Sequence, residues 1–548
     1  MERTYTYDVA MFRRTFEHGF TYRNGFLRNV RRYGRRPALT CPVRGRTWSY
    51  EELDREANRL IRALAADGVG KNSVVMYQLF NCPEFAFLYV ACQKMGAIGC
   101  PVNFRFAAGE TAFVLEDARP QVFFFDASLA ALVEQALAGH RTQRLVMVGE
   151  GKLPVGVTAY DEYVAGFDGD DPGIDPRWHI YDETTRLYTS GTTGRPKGVP
   201  VNNVNEVLSA HDVIMHFPLS PLSRTLNMKI WFHRGGLYSG GPNPVFYVGG
   251  SVVPMRQFDA ATCLDWVEKY GLTFLIGAPV NLKMLHDEQL ARPRDLRGLE
   301  GIVTMGAPLE REACIRYQEV LTPNIFNGYG STEAFWNTFL RPFDLPEHAG
   351  SAGRACTDDD VAVVRVYGDR LAEPDDLVSR DGREVGEVAV RSPKCAYAYH
   401  NRDREAAARF YKGWLYIGDL ATWDGGEFVT IVSRKDDMII SGGENIYPVQ
   451  VEEALNGHPG VRETVVTGVP DEKWGQLVAA YVVRRDPALT AAELDAFCQG
   501  HPMLARFKRP RYYRFVENLP FTATGKKMHY KVREDAAADL VRGLLERV

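Results

Sequence analysis

Paired cysteines are what this sequence lacks first. Its nine cysteines stand at positions 41, 82, 92, 100, 263, 314, 356, 395 and 498, with no C-x-x-C among them. An odd, scattered set fits neither a disulfide framework nor a zinc site, and it predicts the reduced thiols of a cytoplasmic protein. An excess of charge of one sign is missing too. Lys and Arg number 65 against 69 Asp and Glu, a net charge of −4, so no electrostatic case arises for nucleic acid or an anionic membrane as partner. A long hydrophobic run is also absent: the most apolar stretch, residues 83–102, is interrupted by Glu84, Gln93 and Lys94, so no membrane span is expected. The first residues carry no apolar core of a signal peptide, and neither internal repeats nor low-complexity tracts occur. What remains is ordinary globular composition, 45% hydrophobic and 24% charged over 548 residues, too long for a single core.

The most informative stretch is Tyr188-Thr-Ser-Gly-Thr-Thr-Gly-Arg-Pro-Lys-Gly198. Glycines let a backbone turn tightly and bring N–H groups close to a ligand. Ser190, Thr192 and Thr193 add hydroxyls, and Lys197 adds a mobile positive charge. That chemistry suits a polyphosphate, although the spacing is not that of G-x-x-x-x-G-K-[ST]. A flexible surface loop is the plainer alternative for such a composition.

Around this loop the chain alternates. Leu53, Ala57, Leu60, Ile61 and Leu64 recur at helical spacing, residues 74–79 predict a strand and 84–95 a buried helix, and short apolar runs follow at 122–125 and 145–148. A helix at 205–214 precedes a second alternation, with strands at 273–276 and 301–305. Strand–helix alternation over this length predicts an α/β fold with parallel-type sheets in two subdomains. Ligands in such sheets bind where strands end, and Gly306-Ala-Pro308 stands at one such end. In Asn327-Gly-Tyr-Gly-Ser-Thr-Glu333, Tyr329 offers a flat face for a nucleobase, Thr332 a hydroxyl for a phosphate and Glu333 a carboxylate for Mg²⁺; a merely structural turn is the alternative. From about 350, short strands between Asp- and Gly-rich turns predict a distorted β-barrel. Residues 433–446 are polar, charged and then glycine-rich, the composition of a linker. They place a boundary between an N-terminal domain, 1–434, and a small α+β domain, 435–548. Residues 1–46, aromatic and basic, are expected to form a solvated, cap-like segment.

Thr189-Ser-Gly-Thr-Thr-Gly-Arg-Pro-Lys-Gly198 resembles the signature loop of the acyl-adenylate-forming superfamily, which includes acyl-CoA synthetases, luciferases and nonribosomal adenylation domains. Asn327–Glu333 resembles that family's Tyr-Gly-x-Thr-Glu motif, Gly413-Trp-Leu-Tyr-Ile-Gly-Asp-Leu420 its ribose motif, and Leu519-Pro-Phe-Thr-Ala-Thr-Gly-Lys526 its C-terminal ending. The motifs come in the family's order from about residue 48 to the end. Ser433, where the family has Gly, is a mild departure.

The resemblance implies a large N-terminal domain with a mobile lid, and it implies roles for individual residues. ATP and AMP would be held by Thr189, Ser190, Gly191, Thr192, Thr193, Gly194 and Lys197, by Gly306, Ala307 and Pro308, and by Asn327, Gly328, Tyr329, Gly330 and Thr332. Asp419 would grip the ribose hydroxyls and Arg434 would touch the ribose. Glu333 would hold Mg²⁺, Asp436 would be the hinge, and Lys526, Glu333, Thr192 and His233 would be catalytic. Taken alone, Asp419 reads equally as a turn residue and Lys526 as a surface lysine. His233, with Gly306, Gly330, Phe335 and Trp336, would line the acyl pocket. The aromatics favour a compact acid, with aryl, alicyclic and short-to-medium acyl acids all open, while core packing is the alternative role for Phe335 and Trp336. Arg234 is expected to face solvent or the rim of the core, with a polar group on the substrate as the other choice.

The second nucleophile is expected to be CoA. Trp474 and Phe507 can stack an adenine, while Lys508, Arg509 and Arg105 can meet phosphates; Gly442 and Gly443 join that set by resemblance to aryl-CoA ligases. A surface cluster without function is the alternative. The implied reaction joins a small carboxylic acid to CoA with ATP and Mg²⁺. One rival is an adenylating enzyme that loads the phosphopantetheine arm of a carrier protein acting in trans. Another is a nucleotide-binding sensor without catalysis, against which the full set Lys197, Glu333, Asp419, Arg434 and Lys526 argues. Monomer and homodimer are both open.

Overall fold

The computed structural model describes residues 8–137, 144–189, 196–367, 370–442, 444–501, 504–521 and 527–548. By its internal contacts the chain divides into two compact units, residues 1–361 with 390–415, and residues 362–389 with 416–548.

The first unit contains the two parallel-type sheets that the alternation predicts. A seven-stranded sheet is built on the wholly apolar or buried runs Val74–Gln78, Ile98–Pro101 and Val122–Asp126, all parallel, and ends in the antiparallel pair Glu183–Thr189 and Lys197–Asn202. A nine-stranded sheet has a parallel centre that includes Arg224–Asn227, Phe274–Gly277, Gly301–Met305 and Ile325–Ser331. Strands buried on both faces need no polar alternation, which is why they appear in the sequence as continuous apolar runs. The helix Tyr50–Ala66 starts on a capping box in which Ser49 and Glu52 satisfy each other's end of the chain. Its apolar stripe, Leu53, Ala57, Leu60, Ile61 and Leu64, is buried as expected.

Of the segment expected to be a solvated cap, the helix Val9–Gly19 buries no residue, but the part from Tyr22 onward is built into the fold. The helix Tyr22–Tyr33 buries Tyr22 and Phe26, four apart on one face, and leaves Arg31 and Arg32 exposed. The Tyr22 hydroxyl donates to the Asn243 carbonyl at 2.8 Å, and the strand Pro37–Cys41 pairs in parallel with Ser251–Val253 inside the nine-stranded sheet. The mixed aromatic and basic composition is that of an amphipathic helix, whose two faces average out when only composition is read.

The short strands Asp360–Val364, Gly386–Arg391, Phe410–Tyr411, Trp414–Trp423 and Val429–Arg434 form a five-stranded sheet. Within the second unit, Val461–Asp471 and Gly475–Arg484 make a long hairpin that Tyr512–Phe515 extends in parallel. Apolar residues cover both faces of that sheet. One cluster gathers the helices Pro448–Asn456 and Ala491–Gly500, and the other gathers the helix His529–Val541, which the sequence reading did not anticipate.

Candidate active site

In sequence the glycine-rich stretch falls between the antiparallel strands Glu183–Thr189 and Lys197–Asn202. Its flanking residues Thr189 and Lys197 are cross-strand partners, so the two ends of the loop are neighbours. Ser190, Gly191, Thr192, Thr193 and Gly194 lie outside the described residues. The strand leading into the loop is tied from beside it by the Tyr188 hydroxyl, which donates to Asp117 at 2.7 Å, while within the strand the Arg186 guanidinium donates to both oxygens of Glu183. The Lys197 ammonium pairs with the Glu405 carboxylate and sits over the ring of Tyr399 at 5.6 Å.

Tyr399 also reaches Glu333. Its hydroxyl donates to Glu333 Oε1 at 2.6 Å, and burial pushes that phenol's pKa up. The lysine of the loop and the acid of the Asn327–Glu333 motif therefore meet on one buried tyrosine, within one unit. The sequence reading missed Tyr399. The run Tyr397-Ala-Tyr-His400, aromatic and polar at once, was the signal that could have drawn attention to it. The Glu333 carboxylate accepts from Tyr399 and feels the buried Arg234 cation nearby, and an oxygen donor of this kind suits a hard cation such as Mg²⁺.

The remaining candidates of this unit gather at the ends of adjacent parallel strands. Met305 pairs with Gly328 and Thr304 with Asn327, which sets Gly306, Ala307 and Pro308 beside Tyr329. Gly330 pairs with Trp336 across the hairpin. A side chain there would begin 1.6 Å from the Phe335 carbonyl oxygen, so only glycine fits. His233 caps the short helix Arg234–Tyr238, its Nδ1 accepting from the Gly235 amide at 3.1 Å. Gly235 in turn lies against Met305. Phe335 and Trp336 are buried and stacked on each other. Trp336 packs on Phe217, Phe339 and Gly328, and Phe335 on Tyr238.

Arg234 does not face solvent. It is 1% exposed, and its guanidinium donates to the carbonyls of Thr332 at 2.9 Å and Lys394 at 3.1 Å and to the Ser209 hydroxyl at 3.2 Å. Burial lowers its pKa. Three fixed acceptors explain its position: the cation ties the backbone next to Glu333 to two distant segments.

A buried cluster of metal-ligand type, Asp212, His216 and Cys356, also lies in this unit. The Lys394 ammonium stands 2.9 Å from Asp212 and 3.0 Å from Asp359. Burial would lower the lysine's pKa, but these carboxylates hold it raised. The cation place is filled by an amine, and the cluster reads as an internal ion network.

In the second unit, cross-strand pairing sets Asp419 opposite Arg434, and the guanidinium donates to Asp419 Oδ1 at 2.5 Å. Both expected ribose contacts thus share one spot. Asp436 is exposed in the single turn Lys435–Asp437, and its carbonyl accepts from Arg533. Gly442 has φ 59° and lies under the Trp474 indole, where a Cβ would come within 2.6 Å of the ring; its amide donates to the Trp474 carbonyl at 2.8 Å. Trp474 and Phe507 are 47% and 41% exposed. Arg509 is turned inward, 8% exposed and paired with Asp495 at 3.5 Å. In the first unit Arg105 is exposed, its guanidinium over the Phe104 ring. Gly443 and Lys526 lie outside the described residues.

Next to Lys526, the Lys527 ammonium donates to Glu452 at 2.9 Å, and His529 shares that carboxylate at 2.6 Å. Burial would raise the Glu452 pKa, but His529 and Lys527 bring it down to about 2. Burial would lower that of His529, but Glu452 raises it above its ordinary 6.5. The acid's contribution to stability is present above its ordinary value of about 4.5 and is lost as pH falls towards 2. The imidazolium's is complete below 6.5 and is lost as pH rises through the raised value. The Tm difference between the protein and Glu452→Gln should therefore be largest between about pH 4.5 and 6.5 and shrink on both sides. A difference that kept growing above that window would contradict this account.

Comparison with known proteins agrees with the geometry. Residues 26–400 match the family model of the AMP-binding enzyme, and residues 450–526 that of the AMP-binding enzyme C-terminal domain. The chain is 34% identical to the indoleacetate–CoA ligase of Aromatoleum aromaticum, covering 90% of this chain and 94% of that one. It is 30% identical to a fatty acid–[acyl-carrier-protein] ligase of Streptomyces coeruleorubidus, covering 92% and 94%. The crystal structure of an anthranilate CoA ligase in complex with anthranoyl-AMP superimposes with a TM-score of 0.84 at 25% identity, over 95% of this chain and 98% of that one. No helix among the described residues is long and apolar enough to cross a membrane.

Proposed function

The chain belongs to the AMP-binding enzyme family, and from that premise we propose how its residues divide the work and which class of acid it takes. It is an ATP-dependent carboxylic acid–CoA ligase. A carboxylate is a poor electrophile, because a nucleophile would have to displace an oxide. The carboxylate oxygen therefore bonds to the α-phosphorus of ATP as the bond to pyrophosphate breaks. In the second step the sulfur of CoA bonds to the acyl carbon as AMP leaves.

The observation that carries the assignment of roles is the meeting of Lys197 and Glu333 on Tyr399. Negative charge gathers on the phosphoryl oxygens in the transition state, and fixed cations and donors are worth most there. Lys197 meets that charge from the end of the loop, with the hydroxyls and amides of residues 189–194. Mg²⁺, when bound, neutralises phosphate charge, and Glu333 would hold it. Gly306–Pro308 and Tyr329 frame the adenine, His233 orients the carboxylate, and Asp419 with Arg434 takes the ribose. Lys526 serves the first step only, and rotation about Asp436, at the 434/435 boundary, exchanges it for the CoA-binding face. In that face Trp474 and Phe507 offer stacking surfaces. Arg509 is the weakest member, since its charge is already engaged by Asp495.

The acid is an aryl acid. His233 and Phe335 are aromatic members of the expected acyl pocket, and the likeness to an indoleacetate–CoA ligase and to an anthranilate CoA ligase supports an aromatic substrate. The site of action is the cytoplasm, where ATP and CoA are at hand. Similarity to a carrier-protein ligase supports a second reading, in which a phosphopantetheine thiol replaces CoA. The deciding measurement is CoA-dependent AMP release from ATP across aromatic, alicyclic and fatty acids. Turnover is expected with an aromatic acid. Pyrophosphate exchange without CoA-dependent release would transfer the assignment to the carrier-protein reading, and a preference for long fatty acids would overturn the aryl proposal.

A further inference from the structure

The segment 393–405 stitches together parts of the site that are far apart in sequence. The Ala396 amide donates to the Glu333 carbonyl at 2.8 Å, and the His400 amide donates to the Gly198 carbonyl at 2.8 Å. Asn205 holds the carbonyls of Pro393 and Cys395 from the helix Asn203–His216. Between the two backbone anchors stands Tyr399, 4% exposed, its ring against Phe410. It has two distinct handles. The hydroxyl bonds to Glu333, and the ring face carries the Lys197 ammonium, whose charge Glu405 balances.

We propose that Tyr399 is the positioning residue that keeps the phosphate-loop lysine and Glu333 in register, its hydroxyl aiming the carboxylate and its ring seating the ammonium. A free glutamate samples several rotamers. One charge-assisted hydrogen bond in a buried setting selects among them before a ligand arrives. A lysine on a four-carbon stem likewise loses little further freedom on binding if an aromatic face already holds it. The backbone bonds at 396 and 400 matter because a tyrosine on a loose loop would fix neither. The inference rests on the roles given above to Glu333 and Lys197.

The two handles separate by substitution. ATP binding is measured by calorimetry with acid and CoA left out, with and without Mg²⁺. Tyr399→Phe keeps the ring and removes the hydroxyl. MgATP should bind about tenfold more weakly, the size of one hydrogen bond to a charged group, while ATP without Mg²⁺ should change by about twofold at most. Tyr399→Leu removes the ring as well and should weaken both. Tyr399→His, which keeps a donor, should recover part of the Mg²⁺ dependence and gives a second reading should the Phe variant prove unstable. Equal weakening with and without Mg²⁺ in Tyr399→Phe would reduce the residue to a packing role and overturn the proposal. So would unchanged MgATP affinity in a protein where Glu333→Gln weakens it. If Glu333→Gln and Lys197→Ala themselves leave nucleotide binding intact, the assignment of those two residues fails first and the inference falls with it.

Discussion

Replacing Lys526 by alanine should abolish acyl-AMP formation while leaving thioester formation from a supplied acyl-AMP nearly intact. The first step displaces pyrophosphate from a phosphorus crowded with anionic oxygens, and a lysine placed in line stabilises charge that appears only in the transition state. Losing one such group costs on the order of 10²–10³ in rate. The second step breaks a carbon–oxygen bond with AMP as the leaving group and gathers less charge at phosphorus. A lysine brought in by a rotating domain would also be absent by then. Its neighbours suit a fixed presentation. Lys527 and His529 share the buried Glu452 carboxylate, and the helix Pro448–Asn456 that bears Glu452 packs in the core of the second unit. Pyrophosphate exchange reads the first step, and consumption of a synthetic acyl-adenylate with CoA reads the second. An equal loss in both would mean that Lys526 supports the fold or the nucleotide generally, and the rotation about Asp436 would lose its main support.

What the sequence made legible is what lies contiguous in it. Residues 188–198, 327–333 and 413–420 each bring glycines, hydroxyls and a charge together within about ten positions, so their chemistry can be read before any folding is known. The parallel sheets were legible for a similar reason, since strands buried on both faces print as unbroken apolar runs. Tyr399, Glu405, Arg234 and Lys394 carry no such local mark. Each acquires meaning from a partner in another part of the chain, as Tyr399 does from Lys197 and Glu333, and a charged residue seen alone is most often solvated. That expectation failed for Arg234 because the carbonyls that hold it belong to Thr332 and Lys394. It failed for residues 22–33 because composition was read without its period.

Glu206 shows the same blindness with a larger consequence. In the sequence it is one more acid in a helix. In the fold it is 0% exposed and accepts from six side chains. Tyr89 and Asn243 donate to Oε2, and Gln93, Thr184, Thr185 and Tyr238 donate to Oε1, all between 2.7 and 2.9 Å. These donors come from three helices and from the strand Glu183–Thr189 that enters the phosphate loop. A carboxylate is suited to this position because it is all acceptor, with room for about four bonds in good geometry and others shared. Glu206→Ala would leave a cavity and strand most of these donors, Thr184 keeping the Val201 carbonyl and Asn243 the Tyr89 hydroxyl, and should cost about 3–5 kcal/mol, seen as a lower urea midpoint for the first unit. Glu206→Gln keeps the volume but turns an NH₂ group towards donors, and should cost about 1–3 kcal/mol. Because Thr184 and Thr185 begin the strand whose other end enters the loop, the Gln variant should also bind ATP more weakly at a temperature where it is still folded. A Gln variant of native stability and native ATP affinity would mean that the donors can satisfy one another, and that the hub is not what sets this strand in place.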